Sequence, residues 1–217
     1  MERRRFSAAL QGQNLRFTGA GEGGSARARV GFLLLEHFSL PAFTQALDTL
    51  VTANLIRSES FAVSNFSLSG EPVTSDLGLL ICPDLALASA ARQGLDLLVV
   101  CGGLRTPLRS SAALREALQD VASRGVALAG LWNGAWFLGD AGLLDGYRCC
   151  IHPEHRAALA EIARNSQVTS DSYMVDRDRL TAASPTGAFN LALEWIARRH
   201  GRDLVGLAAV RRSRSTI

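Results

Sequence analysis

Apolar residues in this chain fall in short continuous runs, and segments of helical spacing lie between them. Residues 30–36 (VGFLLLE) are one such run, of strand length, the pattern of a strand buried on both faces. Residues 41–56 follow with helical spacing, and Pro41 sits near the first turn, where its missing N–H costs nothing. Two strand-like pieces, 60–70 and 72–83, flank a Gly-Glu-Pro turn. Residues 95–103 (LDLLVVCGG) are the clearest buried strand and end in two glycines. An amphipathic helix is expected over 110–125, opened by Ser and followed by Gly. Residues 125–146 read as strand, sharp turn, helix and stop. A strand (147–152) and a helix (152–165) come next, then two polar-alternating strands (166–184) and a last helix (186–201). Its C-terminal Arg198, Arg199 and His200 sit at the negative end of the helix dipole.

Strands alternating with helices imply an α/β fold, an open and largely parallel sheet with helices on both faces. Ligands bind such sheets outside the carboxyl ends of the strands. At 217 residues and 47% apolar composition the chain suits one folded domain and is not wholly disordered. Residues 1–29 are rich in Gly, Ser, Ala and Arg without a period, and are expected to be a flexible leader. The folded domain is expected over 30–210 and a basic tail over 211–217.

Charge sharpens that division. The net +3 comes from the ends: 1–29 carry six Arg against two Glu, and 211–217 carry three Arg and no acid, which leaves the body negative. A nucleic-acid surface needs a basic face, so the body is not one by charge. Every basic residue is Arg, read first as genome composition bias; it also excludes Schiff-base and phosphate-loop lysine chemistry. No run of about 18 apolar residues suggests a membrane span. The charged N-terminus is not followed by an apolar signal region, and the four cysteines form no disulfide framework. The expected compartment is the cytoplasm, with reduced thiols.

Three segments end at the ligand-binding edge: Cys101-Gly102-Gly103, Leu131-Trp132-Asn133-Gly134-Ala135, and Cys150-Ile151-His152-Pro153. The middle one passes from an apolar strand straight into a helix, the geometry of a nucleophile elbow. A cysteine there would have its pKa lowered by the helix end, and a histidine on the next strand would serve as its base.

The order VVCGG, then GLWNGAWFLGDAGLLDGYRCCIHPE, then MVDRDRLTAASPTGAFNLALEWIARRHG resembles the ThiJ/PfpI superfamily. More closely it resembles the amidase-like sensor half of GlxA-type regulators of the AraC family, as do EHFSLPAFTQALDTLVTAN and SGEPVTSDLGLLICPD. The resemblance runs from about Val30 to about Val210. It implies a flavodoxin-like, class I amidotransferase-like fold, a homodimer paired through this domain, and a response to amino acids or quaternary amines.

Two departures bear on function. The catalytic branches carry Cys at the elbow, where this chain has Trp132. An indole cannot attack a carbonyl, and His152, which matches the family's histidine, has no thiol to activate. Glu36 sits too early to be assigned as the acidic partner. No catalytic residue, metal or cofactor is therefore expected. GlxA-type regulators also continue into two helix-turn-helix units, whereas 16 residues follow Gly201 here, so the chain by itself is not expected to read DNA bases.

The expected function is a catalytically inactive sensing and dimerising domain. Its small nitrogenous effector is expected at Gly102, Gly103, Trp132, Asn133, Gly134, His152 and Thr186. Each residue has a plainer reading. Trp132 either stacks on a cationic ligand or plugs a dead pocket. Asn133, with the N–H groups of Gly134 and Ala135, holds a carboxylate or only caps the helix. Ser184 to Gly187 lie at the pocket or merely cap the last helix. His37 is expected in solvent. Cys149, Cys150, His152 and His155 resemble a metal cluster, but neighbouring strand residues face opposite sides. Cys101 and Cys82 are expected in the core. The alternative is a ThiJ/PfpI-type hydrolase or glyoxalase using Cys101 or Cys150.

Overall fold

A computed structural model describes residues 27–206. The expected basic tail and most of the expected leader lie outside these residues. At its inner end the leader is shorter than expected. Strand β1 (Ala28–Leu34) already pairs Ala28 and Arg29 with Phe61 and Ala62 of β2 (Phe61–Ser67).

Between these strands runs α1 (Leu40–Ile56), whose N-cap Ser39 accepts a hydrogen bond from the Ala42 N–H. After β2 the chain forms a small antiparallel hairpin, β3 (Val73–Thr74) and β4 (Leu80–Ile81), outside the main sheet. Then come β5 (Leu85–Ala86), a 3-10 turn, and β6 (Leu97–Cys101), every residue of which is buried. Helix α2 (Ala112–Ser123) is capped by Ser111, and Gly125 just past its end has φ 77°, as the Ser and Gly punctuation implied. Strand β7 (Ala127–Leu131) leads into α3 (Gly134–Asp140).

The remaining elements are β8 (Arg148–Cys150), a 3-10 turn (Pro153–His155), α4 (Arg156–Ile162), β9 (Gln167–Thr169), β10 (Tyr173–Asp176), β11 (Arg179–Ala182) and α5 (Pro185–His200). Gly201 ends α5 at φ 88°.

The seven-stranded sheet has the order β10-β11-β7-β6-β1-β2-β5. All its pairings are parallel except β10 with β11. Alternate strand residues feed two cores. Val30, Phe32, Leu97 and Val99 pack with α1 and α5 on one face. Leu33, Leu98, Val100 and Leu128 pack with α2, α3 and α4 on the other. Each such aliphatic side chain contributes about 1.5–3 kcal/mol when removed from water. This is the open, largely parallel sheet with helices on both faces expected from the alternation of strands and helices, and the flavodoxin-like arrangement that the resemblance implies.

Two strand readings are corrected. Segment 147–152 contains a strand, but β8 does not join the main sheet: it pairs in parallel with β9. The antiparallel β10 already occupies the free side of β11, so β8 lies over the sheet, with the Cys150 N–H donating to Thr181 Oγ1 (2.8 Å). Segment 166–184 holds three strands rather than two. All four residues of β11 are buried, its polar Arg179 and Thr181 included. Arg179 is tolerated because its Nε donates to the Leu143 carbonyl (2.8 Å) and its Nη1 meets Asp178 Oδ2 (2.8 Å).

Register places the carboxyl ends of four strands side by side, with Leu34 beside Cys101, Cys101 beside Leu131, and Leu131 beside Ala182. The turns that follow them make one edge. Among the described residues no helix is long and apolar enough to cross a membrane.

Candidate functional site

Trp132 leaves β7 at this edge with φ 60°, a left-handed conformation uncommon for a residue with a bulky side chain. Its N–H donates to the Ala182 carbonyl of β11 (2.8 Å), which extends the sheet one step into the turn. The strained elbow therefore persists although its usual nucleophile is absent.

The glycines around the elbow have a packing reason. A Cβ on Gly134 would lie 2.0 Å from the Val100 carbonyl oxygen, and one on Gly130 would lie 2.5 Å from the Ala135 nitrogen. A Cβ on Gly102 would meet Asn133 Oδ1 at 1.9 Å, and one on Gly103 would meet the His37 carbonyl at 2.3 Å. Helix α3 thus starts hard against β6 and β7. The Gly134 and Ala135 nitrogens lie against Gly102 and Gly130.

Asn133 is fully buried, and its reading as a helix cap needs correction. It makes no side-chain cap hydrogen bond to α3. Instead its Nδ2 donates to the Thr106 carbonyl (3.2 Å), and its Oδ1 is buried without a hydrogen-bond partner beside Gly102. Thr106 in turn accepts from the Gly103 N–H through Oγ1 (2.9 Å). Asn133 therefore ties the loop after β6 to the elbow. Thr106 lies 27 residues away in the chain and carries no spacing signal of this role.

The Trp132 indole stacks on the His152 imidazole, with centroids 4.3 Å apart and planes 9° apart. His152 Nδ1 accepts a long hydrogen bond from the Glu154 N–H (3.4 Å). A third ring, His155, has its centroid 6.3 Å from that of His152. Burial, then the neighbouring His152, holds the His155 pKa below the ordinary histidine value. Trp132 Nε1, His155 Nε2 and His37 Nδ1 are all buried without hydrogen-bond partners. His37 is half-buried, with φ 59° and its carbonyl against Gly103.

Gly102, Trp132, Asn133, Gly134 and His152 thus come together, and Gly103 packs beside them against His37. Thr186 is exposed on the first turn of α5, and the cap of that helix is Ser184, whose Oγ accepts from the Gly187 N–H (3.1 Å).

Three of the four cysteines are buried. Cys101 is fully buried, and burial pushes its thiol far above the ordinary value. Cys150 is pushed up to about 11, mainly by burial, and its Sγ contacts the Thr181 carbonyl (3.2 Å). Cys149 is also raised by burial and turns the other way, toward Ser166 Oγ (3.8 Å). Among the described residues no group of three or more His, Cys, Asp or Glu is placed to hold a metal ion. Cys82 is exposed, not in the core, because it follows the short hairpin rather than a sheet strand.

A profile of the DJ-1/PfpI family matches residues 31–198. The HTH-type transcriptional regulator GbdR of Pseudomonas aeruginosa is 34% identical over 81% of this chain and 47% of its own length. CdhR of the same species, also an HTH-type transcriptional regulator, is 36% identical over 80% of this chain and 51% of its own. The chain spans about half the length of the curated relatives it matches. A solved AraC family transcriptional regulator from Pseudomonas putida is 53% identical, with a TM-score of 0.80, over 84% of this chain and 98% of that one. Drosophila melanogaster DJ-1beta, 22% identical with a TM-score of 0.71, shares the fold.

Proposed function

The chain belongs to the DJ-1/PfpI family, and we propose that it is the effector-sensing and dimerising half of a transcriptional regulator, with no catalysis at its elbow. The observation that carries this reading is Trp132. It holds the left-handed elbow position and stacks on the one histidine that a nucleophile there would use. The match to regulators over about half their length supports the same reading.

The proposed effector is a small nitrogenous metabolite of the amino acid or quaternary amine class. It docks beside Gly102, Trp132 and His152 and takes the indole face that the imidazole now covers. A cationic nitrogen over an indole gains about 0.5–2 kcal/mol, enough to compete with an aromatic stack worth about 0.5–1.5 kcal/mol. In a full-length regulator the effector would shift the DNA-binding half by binding one of its states more tightly. The proposed place of work of this chain is the cytoplasm.

Tryptophan fluorescence tests the reading. Amino acids and quaternary amines are titrated into the wild-type chain and into Trp132→Phe. A saturable change in the first that is absent in the second is the expected result. A saturable change identical in both would move the site away from Trp132. Methylglyoxal turnover that disappears in Cys101→Ala or Cys150→Ala would replace the sensor by an enzyme.

A further inference from the structure

We infer that the stack of Trp132 and His152 is a proton-operated cover on the effector site: a protonated His152 stays on the indole face and keeps a cationic effector out, and a neutral His152 yields the face to it. The inference deepens the proposed function by naming the regulation of that site, and it rests on that reading.

The two rings are half-buried, so solvent protons reach a pair that is nevertheless held in one geometry. Their centroids are 4.3 Å apart and their planes 9° from parallel. A neutral imidazole in that position makes an ordinary aromatic stack. A protonated one lays a delocalised cation flat on the electron-rich indole face, a stronger contact. Histidine is the side chain that changes charge between about pH 5 and pH 8. The cover therefore has a weakly held and a strongly held form within that range. In the strongly held form the imidazolium already occupies the place of the effector's cation, and its charge repels a second one.

The surroundings give the proton to His152. The elbow presents Trp132 and Asn133, neither of which titrates. At this edge β11 and β10 bring Thr181, Ala182 and Tyr173, with no charged group among them. Strand β8 brings Cys150, whose thiol, pushed up to about 11 by burial, stays neutral. The turn after β8 and the start of α4 bring Glu154, His155 and Arg156, and Asp171 follows β9. The two acids offset the one arginine. The His155 ring lies with its centroid 6.3 Å from that of His152, and its buried Nε2 has no hydrogen-bond partner. Burial, then the neighbouring His152, holds its pKa low, so His155 stays neutral while His152 charges. Both nitrogens of an imidazolium donate, so charging His152 gives up one contact, the long bond from the Glu154 N–H (3.4 Å).

The test has two arms on the whole chain, with circular dichroism to confirm that each variant folds. Tryptophan emission of the ligand-free chain is followed from about pH 8 down to about pH 5. An imidazolium stacked on an excited indole quenches it, so wild-type emission is expected to fall. The fall should be absent in His152→Gln and in Trp132→Phe, where Trp136 and Trp195 give the background, and kept in His155→Gln. In the second arm tetramethylammonium, whose charge does not change with pH, is titrated at both ends of the range. It is expected to bind at least about fivefold more weakly at the acid end, and His152→Gln should abolish the difference. Level wild-type emission, which needs no variant to observe, would overturn the switch, and so would a fall that His152→Gln retains. Equal affinity at the two pH values would overturn the gate. Emission that falls through His152 in a chain that binds no amine at either pH would overturn the effector reading and keep the proton-sensitive stack.

Discussion

The Trp132 indole and the His152 imidazole lie 4.3 Å apart and nearly parallel, at the position where related folds pair a thiol with its base. Stacking links the elbow to the segment that follows β8.

That stack stabilises a strained turn, so its loss should be measurable. Trp132→Ala is expected to cost roughly 1–3 kcal/mol, below the range for a fully buried Trp because Trp132 is half exposed. Urea denaturation checks this. Trp132→Gly should cost less than Trp132→Ala, because glycine adopts φ 60° without strain.

Close backbone approach makes Gly134 far less replaceable than Gly125. Gly134→Ala drives a Cβ to 2.0 Å from the Val100 carbonyl, whereas Gly125→Ala meets nothing within 4 Å and bears only the cost of φ 77°. The expected losses are about 3 kcal/mol or more for the first and about 1 kcal/mol for the second. Thermal unfolding of the two variants side by side decides it.

The Asn133 amide should resist even an isosteric change. Asn133→Asp places a carboxylate where Nδ2 now donates to the Thr106 carbonyl, in a fully buried position. It should destabilise by more than Asn133→Ala. The deficit should shrink at acid pH, where a buried carboxyl is neutral. Denaturation midpoints of both variants at pH 5 and pH 8 give the comparison.

Alkaline stability follows from the buried thiols. Cys150 titrates at about 11 in the folded chain against an ordinary 9.0, and Cys101 is raised further. The unfolded chain releases these protons first and so binds fewer of them, and stability falls as pH rises from about 9 toward 11. The slope is at most about 1.4 kcal/mol per pH unit for each thiol. Cys150→Ala should flatten it in a pH series of urea melts. A Cys150→Ala slope equal to wild type would contradict the burial account.

Much of this was legible in the sequence because apolar runs report burial directly. The runs ending in Cys101 and Leu131 became the central strands β6 and β7, and the elbow between Leu131 and Gly134 followed from their junction. Tertiary placement was not legible. The pattern of 147–152 makes a strand but does not say which sheet takes it, and that depended on β10 occupying the edge. The burial of Arg179 and Thr181 was not legible because two of their partners, Leu143 and Cys150, are remote in the chain. At the site, Trp132 and His152 were found from spacing, while the Asn133 link to Thr106 and the burial of the His37 ring nitrogen needed coordinates. The capping of the last helix by Ser184 follows the plainer reading of residues 184–187.

The most direct test of effector sensing at Trp132 is thermal unfolding of the purified chain against a panel of amino acids, betaines and related amines. A ligand at about 100 times its dissociation constant stabilises by roughly 2.7 kcal/mol, a rise in Tm of roughly 5–10 °C for a domain of this size. The account predicts such a rise for at least one compound, and its loss in Trp132→Ala. A flat panel, or a rise that Trp132→Ala leaves unchanged, would contradict it.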